Sequence, residues 1–289
     1  MDNIDVICPL YNASNYILKL DGMLKAQLNV KLNILYILTE SEDNTLDLLN
    51  KINANYKIVK KVEFSHSLTR EKAIFESNSD YLILLTQDIE LVDVDTIYKL
   101  VEYTKENGLA GSYIKQKSII GLDRYFREMS YGNNNYIFDK KDLNNKKETP
   151  VFFSDTFSCI NVKIFKDING YDNKKFETNE DMYYAYKCLI NDLKIGYYKD
   201  KFVIHSHKLT LKSTYERYIL IGKFLYENKN IEKLLQNRIG YLKIVFLALK
   251  RFDFKSLFVL PFNVSARVFG IRKGKKLARK EHKKCQKSQ

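Results

Sequence analysis

Two acidic residues directly follow a continuous apolar run in the first third of the chain. Asp88 and Glu90 come after Tyr81-Leu-Ile-Leu-Leu85, a run typical of a buried strand. Ligands of open α/β sheets bind beyond the carboxyl ends of the strands. Carboxylates at that position can hold Mg²⁺ or Mn²⁺ together with substrate phosphate oxygens. An Asp-x-Glu pair also occurs in ordinary turns and helix caps, so the metal-site hypothesis depends on other polar groups.

Two further polar clusters lie at the ends of predicted elements. Glu180 and Asp181 begin a helical pattern, and His205 and His207 follow a short apolar run. Each cluster has a simpler interpretation, because acids complement a helix N-terminus and paired histidines can be ordinary polar surface. Together with Asp88 they could supply a metal site, a carboxylate base and imidazole ligands. That set could transfer a group from a nucleoside diphosphate.

Apolar periodicity predicts the elements that position these clusters. In the first half, strands are predicted at 4–8, 32–38, 56–62 and 81–85, alternating with helices at 15–27, 45–51, 69–77 and 95–107. Farther along, strands are predicted at 158–162, 194–198 and 202–204, and helices at 180–190 and 211–226. The alternation predicts an α/β fold: a mostly parallel, Rossmann-like sheet with flanking helices.

The positive charge of the chain is concentrated at its C-terminus. The 289 residues carry a net charge of +13, and ten basic residues lie between positions 267 and 289, where Glu281 is the only acid. Two apolar runs, 241–249 and 257–262, precede that segment. Each is shorter than the roughly 20 residues of a membrane-spanning helix. We therefore predict one α/β domain from 1 to 228, which contains the polar clusters, and amphipathic helices with a basic tail from 229 to 289, which lie on a membrane surface. The alternative is a C-terminal helix packed on the core and followed by a solvated tail.

The spacing of the cysteines and the first residues of the sequence indicate a cellular location. The four cysteines are far apart, which argues against a zinc cluster or a disulfide framework. The start of the sequence lacks a basic segment followed by an apolar one, so no signal peptide is predicted. We expect a protein of the reducing cytoplasm, peripheral at the inner face of the plasma membrane.

Several sequence stretches resemble, in order and spacing, a known enzyme family. They are Val6-Ile-Cys-Pro-Leu-Tyr-Asn12, Phe64-Ser-His-Ser-Leu-Thr-Arg70, Leu85-Thr-Gln-Asp88, Glu180-Asp181, His205-Ser-His-Lys-Leu-Thr-Leu211 and Tyr215-Glu-Arg-Tyr218. From position 4 to position 226 the chain resembles the rhamnosyltransferase-like group of family 2 glycosyltransferases, which have the GT-A fold.

The resemblance implies a metal-dependent, inverting glycosyltransferase and a role for each matching residue. Asp181 is implied as the catalytic base, with Glu180 beside it. Asp88, Glu90 and His205, with His207 as the alternate, are implied as ligands of Mg²⁺ or Mn²⁺. The residues implied in binding the nucleotide sugar are Pro9, Tyr11, Asn12, Thr39, Ser41, His66, Thr69, Arg70, Gln87 and Asp88.

Two departures from the family pattern affect the donor. Leu38 stands where an Asp is usual, so Thr39, Glu40 or Ser41 would contact the nucleotide, and Ser67 replaces a usual Gly. A dTDP-activated rhamnose is the favoured donor, and a UDP-hexose is the alternative. The expected acceptor is a saccharide or lipid-linked saccharide of cell-surface polysaccharide synthesis, reached at the inner membrane leaflet. The oligomeric state stays open.

Other classes of protein fit the sequence less well. A basic protein that binds nucleic acid or membrane without catalysis would explain the charge, but the charge is confined to one end and no nucleic-acid recognition motif is present. No nucleic-acid partner is therefore predicted. A Rossmann oxidoreductase would need a Gly-x-Gly-x-x-Gly after the first strand, which this chain lacks.

Overall fold

Strands and helices alternate through the first half of the computed structural model, which describes residues 3–144, 149–207, 210–235 and 240–287. The strands are β1 (Asn3–Leu10), β2 (Lys31–Thr39), β3 (Tyr56–Val59), β4 (Tyr81–Leu85), β5 (Glu90–Leu91), β6 (Gly111–Lys117), β7 (Tyr136–Phe138), β8 (Phe157–Asn161) and β9 (Ile195–Ile204). The helices are α1 (Ile17–Lys25), α2 (Thr45–Lys51), α3 (His66–Glu76), α4 (Thr96–Glu106), α5 (Asp123–Ser130), α6 (Val162–Asp167), α7 (Glu180–Ile190), α8 (Leu211–Glu227), α9 (Lys229–Leu234), α10 (Tyr241–Lys250) and α11 (Phe254–Lys287).

All nine strands belong to one sheet with the order β3-β2-β1-β4-β8-β6-β9-β5, and β7 pairs with β9. The strands β3, β2, β1 and β4 are parallel, as the sequence predicts. Beyond β4 the sheet is mixed, because β8 lies antiparallel to both β4 and β6, while β6 and β9 are parallel. The α/β fold class is confirmed, and the description of the sheet as mostly parallel is corrected to mixed.

Helices cover both faces of the sheet, as the apolar strands require. In β1, the buried side chains of Val6 and Cys8 join one hydrophobic cluster, whereas Ile7 joins the cluster on the other face. In β4, likewise, Leu82 joins the cluster on one face and Ile83 joins the cluster on the other. Successive side chains of a strand point to opposite faces, so a continuous apolar run fits a strand buried on both sides.

Two predicted strand boundaries are wrong. The third strand ends at Val59 rather than at position 62, because the chain turns there and the amides of Glu63 and Phe64 donate to the Lys60 carbonyl. The predicted strands 194–198 and 202–204 form the single strand β9, whose pairing with β6 shifts register between Ile114 and Lys115. A bulge of this kind interrupts pairing without ending the strand.

The C-terminal helices pack on the rest of the described chain. Across the predicted boundary at residue 228, Ile231 of α9 lies in the same buried cluster as Phe224 of α8. Ile244 and Ala248 of α10 pack with Tyr125 of α5 in a separate cluster. The division into residues 1–228 and 229–289 stays a prediction.

One long C-terminal helix contains both the apolar run 257–262 and the basic segment after it, which the sequence pattern predicts as separate parts. Among the described residues, one helical stretch, Phe254–Lys284, is long and apolar enough to cross a membrane by length and composition. The run 257–262 is therefore part of a much longer helix, which continues through Pro261.

Candidate active site

A cavity of about 650 Å³ lies at the carboxyl ends of β1, β2 and β4. Eleven of the residues singled out from the sequence line it: Pro9, Tyr11, Thr39, His66, Arg70, Gln87, Asp88, Glu180, Asp181, His205 and His207. Five do not: Asn12, Glu40, Ser41, Thr69 and Glu90. The wall also contains polar residues that sequence reasoning missed, including Lys61, Gln116, Arg127, Asp155 and Arg217.

Asp88, His205 and His207 come together in one group, and the ligand atoms they offer lie within 4.8 Å of one another. Asp88 Oδ1 lies 3.3 Å from His205 Nε2, and Asp88 Oδ2 lies 3.5 Å from His207 Nδ1. Burial alone would raise the pKa of Asp88, but the hydrogen bond and charge of His205 and the charge of His207 lower it to about 2. Burial and the neighbouring His205 lower the pKa of His207. The group therefore offers an ionised carboxylate and imidazoles, which are metal ligands.

Gln116 determines how His205 is oriented. The side-chain oxygen of Gln116 accepts a hydrogen bond from Arg127, and a guanidinium can only donate, so the amide orientation is fixed. The same oxygen lies 2.9 Å from His205 Nδ1, which must then carry the proton. The other ring nitrogen, Nε2, faces the Asp88 carboxylate at 3.3 Å. A carboxylate and two imidazoles that face one another are a donor set that fits a metal ion.

Glu90 is not brought to this group. It begins β5, and its half-exposed carboxylate forms a salt bridge with Lys19 of α1 at 2.6 Å. Asp88 lies in the turn that follows β4, whereas Glu90 lies in β5, and the two side chains have different partners.

Glu180 forms a buried ion pair with Arg70, and both side chains are almost fully inaccessible to solvent. Burial would lower the pKa of the Arg70 guanidinium, but Glu180 and then Asp155 raise it, so the arginine stays charged. Glu180 therefore holds Arg70 in place, and Asp181 is the acid of this pair that remains without a cationic partner among the described residues.

Asp181 lies in the first turn of α7, where two amide groups hold its carboxylate. Oδ1 accepts from the Met182 amide at 2.8 Å, and Oδ2 accepts from the Asp155 amide at 3.4 Å. Burial, followed by the charges of Asp155 and Glu180, raises the pKa of Asp181 well above its usual value. Before it, Asn179 adopts a left-handed conformation with φ of 64°, which Asn tolerates better than most residues. A carboxyl group with a raised pKa suits proton transfer near neutral pH.

Asp155 is a functional candidate that the sequence analysis missed. Its buried carboxylate accepts hydrogen bonds from Ser158 at 2.8 Å and Tyr171 at 3.1 Å. Burial raises its pKa, and Arg70 opposes that rise. The feature that could have identified Asp155 is its position two residues before β8, at the edge of the sheet.

Tyr11 and Gln87 join the loops after β1 and β4. The Tyr11 amide donates to Gln87 Oε1 at 2.8 Å, and Gln87 Nε2 donates to the Tyr11 carbonyl at 3.0 Å. Lys61 donates to the Tyr11 hydroxyl at 2.8 Å, with its ammonium 5.0 Å from the ring centroid. On the same side of the cavity, burial and then Arg70 lower the pKa of His66 to about 4. This part of the wall presents an aromatic ring, a cation and a neutral imidazole.

The predicted residues outside the cavity support its loops. The Asn12 amide donates to Ser41 Oγ at 2.9 Å, and the Glu42 amide donates to Asn12 Oδ1 at 3.1 Å. Thr69 accepts from the Ser65 amide at 3.2 Å, at the start of α3. Their sequence positions lie beside cavity residues, but their side chains bond to the protein.

Some buried polar atoms of the cavity wall have no partner within the part of the chain that the structure describes. They are Thr39 Oγ1, Arg70 Nε and Asn179 Oδ1. Buried polar groups are normally hydrogen-bonded, so unpaired donors and acceptors in a cavity fit a polar ligand.

Comparison with known proteins gives the family. The pattern of Glycosyl transferase family 2 matches residues 5–169, more than half of the chain. The chain is 27% identical over 226 residues to the O-antigen chain rhamnosyltransferase RfbN of Salmonella typhimurium, covering 76% of this chain and 72% of RfbN. It is 26% identical over 231 residues to the O-antigen chain rhamnosyltransferase WbaN of Salmonella anatum, covering 78% and 72%.

Solved structures share the fold at low sequence identity. S. aureus TarS in complex with UDP has a TM-score of 0.58 and 18% identity, covering 98% of this chain and 92% of that chain. The mannosyltransferase PcManGT from Pyrobaculum calidifontis, in complex with GDP-Man and Mn²⁺, has a TM-score of 0.56 and 12% identity, covering 91% and 73%. The fold is that of GT-A glycosyltransferases. The chain belongs to glycosyl transferase family 2 and is a glycosyltransferase.

Proposed function

We propose that this enzyme transfers rhamnose, with inversion, from a dTDP donor to a saccharide or lipid-linked saccharide during cell-surface polysaccharide synthesis. One observation carries the proposal: a single cavity is lined by the Asp88, His205 and His207 group and by Asp181. The reaction requires a cation that binds the donor diphosphate and a base that removes a proton. Candidate residues for both roles therefore line the same cavity.

The proposed reaction is a single displacement. The acceptor hydroxyl oxygen forms a bond to the anomeric carbon while Asp181 takes the hydroxyl proton. The bond from that carbon to the diphosphate oxygen breaks, and its electron pair leaves with the nucleoside diphosphate. Because attack and departure occur on opposite sides of the carbon, the anomeric configuration inverts. The raised pKa of Asp181 makes it a stronger base than an ordinary aspartate.

A divalent cation completes the proposed site. Asp88, His205 and His207 would hold it, and its charge would neutralise the departing diphosphate. Imidazole ligands suit Mn²⁺ better than Mg²⁺, which prefers oxygen ligands and retains water. We therefore favour Mn²⁺. Lys61, Arg127 and Arg217 on the same wall would add positive charge near the phosphates.

The choice of sugar follows from the relatives. Both Salmonella proteins named above are O-antigen chain rhamnosyltransferases, and together with the motif resemblance this favours rhamnose over a hexose. The proposed acceptor is a saccharide or lipid-linked saccharide at a membrane. The exposed apolar helices and basic C-terminus of this chain support a cytoplasmic enzyme peripheral to the inner leaflet.

Replacement of Asp181 by Asn tests the proposed base. We expect D181N to lose about 10²–10⁴-fold in turnover, the usual contribution of a general base, while donor binding remains within a factor of a few. Product formation would be followed by chromatography of released dTDP, and donor binding by calorimetry. The matched control is D21N, because Asp21 is also buried but bonds to Tyr36 outside the cavity. A D181N enzyme with full turnover would refute the assignment.

A further inference from the structure

The first half of α11 buries polar residues and exposes apolar ones. Ser256, Asn263 and Arg267 are buried against the rest of the chain. The opposite side of this helix presents phenylalanines that are more than half exposed: Phe254, Phe258, Phe262 and Phe269. Phe258 is 74% exposed. A surface helix of a water-soluble protein normally has the reverse arrangement, so this face requires a partner.

α10, which precedes α11, also has exposed apolar side chains. Ile244 and Ala248 pack on α5, whereas Leu242, Phe246 and Leu249 follow helical spacing on the other side. Leu242 is 86% exposed. The turn between the helices adds Phe252, which is 80% exposed. We call the set Leu242, Phe246, Leu249, Phe252, Phe254, Phe258 and Phe262 the apolar ridge.

Positive charge surrounds the apolar ridge. Lys243, Lys250 and Lys255 are exposed on the same two helices, and the one acid between them, Asp253, is bonded to Arg124 of α5 at 2.7 Å. Beyond the ridge, α11 carries further basic residues, from Arg272 onward. Apolar insertion and attraction to anionic headgroups are the two signals that stable surface attachment requires.

We propose that the apolar ridge inserts into the headgroup and upper acyl region of a membrane that contains anionic lipid. This deepens the proposed function, because it assigns the residues through which the enzyme would reach a membrane acceptor. The occupant is a lipid surface rather than a protein groove, since the ridge is rich in exposed phenylalanine and is flanked by exposed lysines.

Packing against α8 favours a helix that lies on the membrane over one that crosses it. Arg267 donates to Asn263 at 2.7 Å and to the Tyr218 hydroxyl at 2.7 Å. A Cβ atom at Gly270 would lie 2.8 Å from the Tyr215 carbonyl oxygen, so the two helix backbones are in close contact. A spanning α11 would have to break these contacts and place Arg267 in hydrocarbon, which is costly.

The apolar ridge is mechanically connected to the catalytic cavity through α5. The ring centroid of Phe126 on α5 lies 3.4 Å from the central carbon of the Arg267 guanidinium. On the same helix, the Glu128 carboxylate accepts two hydrogen bonds from Arg251, at 2.8 and 3.1 Å. From the same helix, Arg127 reaches the cavity and bonds to Gln116. Insertion of the ridge would therefore hold the cavity in a fixed relation to the membrane surface.

The absence of tryptophan from the sequence allows a direct test. F258W would place one fluorophore on the ridge, and V62W would place one at an exposed position in the turn after β3. We expect vesicles of mixed anionic and zwitterionic lipid, brominated high on the acyl chain, to quench F258W and not V62W. Lipids brominated near the chain terminus should quench F258W less. Equal or stronger deep quenching would indicate a spanning helix and overturn the proposal.

A second experiment removes the ridge without touching the core. The triple variant F246Q/F254Q/F258Q should bind anionic vesicles at least about tenfold more weakly in sedimentation. The control L28Q/I58Q/V62Q changes three exposed apolar residues elsewhere and should bind as the parent does. Unchanged vesicle binding by the ridge variant would refute the proposal, as would binding to duplex DNA in preference to vesicles at equal salt. Transfer to a water-soluble acceptor should be unaffected, so failure here is distinguishable from failure of the proposed catalytic function.

Discussion

His205 contacts different partners through its two ring nitrogens, and this determines what the ring can bind. Nδ1 donates to Gln116, and Nε2 faces Asp88 at 3.3 Å. Gln116 is itself oriented by Arg127. Polar residues behind a metal-binding histidine usually fix its tautomer and its orientation.

Replacement of Gln116 by Leu should weaken metal binding. We expect Q116L to reduce Mn²⁺ affinity by about 10–100-fold, because His205 loses the acceptor that fixes its tautomer. Titration of the apoprotein with Mn²⁺, followed by electron paramagnetic resonance of free Mn²⁺, measures this without turnover. Q27L is the matched control: Gln27 is also buried and bonded to backbone groups at Asp93 and Ile97, away from the cavity. Equal Mn²⁺ affinity in Q116L and the parent would contradict the positioning role.

Replacement of Asp155 by Asn should change the pH dependence of turnover. Burial and then the Asp155 charge raise the pKa of Asp181, so removing that charge should lower it. The base would then stay deprotonated to lower pH, and the acidic limb of the kcat/KM profile should move to lower pH in D155N. Because the two carboxyl groups interact, the limb reports their joint titration. A limb that stays in place or moves to higher pH would show that Asp155 does not act on the base by charge.

At the scale of elements, the close contact between α8 and α11 depends on glycine. Cβ atoms at Gly222 and Gly274 would collide with the backbones at Ile271 and Ile219. The long C-terminal helix can therefore lie against α8 only where side chains are absent, and this contact supports the helices that carry the apolar ridge.

Substitution of Gly274 by Ala should destabilise the protein by about 1–3 kcal/mol, because the added methyl group forces two helix backbones apart. Urea unfolding and the thermal midpoint would measure the change. G22A is a matched control within α1, where no atom lies within 4 Å of the added methyl group. There we expect a gain of about 0.5–1 kcal/mol, because Ala favours helix more than Gly does. The same sign for both variants would argue against the close-contact interpretation.

At the scale of the whole molecule, ligand binding should raise the free energy of unfolding. A ligand that binds only the folded state at 100 times its Kd stabilises by about 2.7 kcal/mol. We expect dTDP with Mn²⁺ to raise the thermal midpoint by several degrees, and dTDP with a chelator to raise it much less. A larger shift with UDP than with dTDP would favour the alternative donor.

Two acid variants separate the possible metal ligands in the same measurement. D88N should abolish the Mn²⁺-dependent part of the shift, because it removes the carboxylate that faces both histidines. E90Q should leave that part unchanged, since Glu90 pairs with Lys19 outside the cavity. Loss of the Mn²⁺ effect in E90Q would restore Glu90 as a ligand.

The amino-acid sequence by itself determined the α/β class and much of the cavity. Continuous apolar runs require strands buried on both faces, and polar residues at their carboxyl ends then meet at one edge of the sheet. This is why Asp88 could be chosen from its position after a strand, whereas Asp181 and His205 were chosen from the resemblance of their motifs to a known family. It also explains why the parallel half of the sheet was predicted well.

Only the tertiary structure decided which polar side chains face the cavity and which bond elsewhere. Glu180 and Asp181 are adjacent in sequence, but only Glu180 forms an ion pair with Arg70, which lies 110 positions away. Arg127 was not predicted, because α5 is short and polar and gives little apolar signal. Gln116 was not predicted either, because it lies on β6, a strand that the sequence analysis did not identify. Contacts between residues distant along the chain depend on strand order and helix packing, and local periodicity contains no information about either.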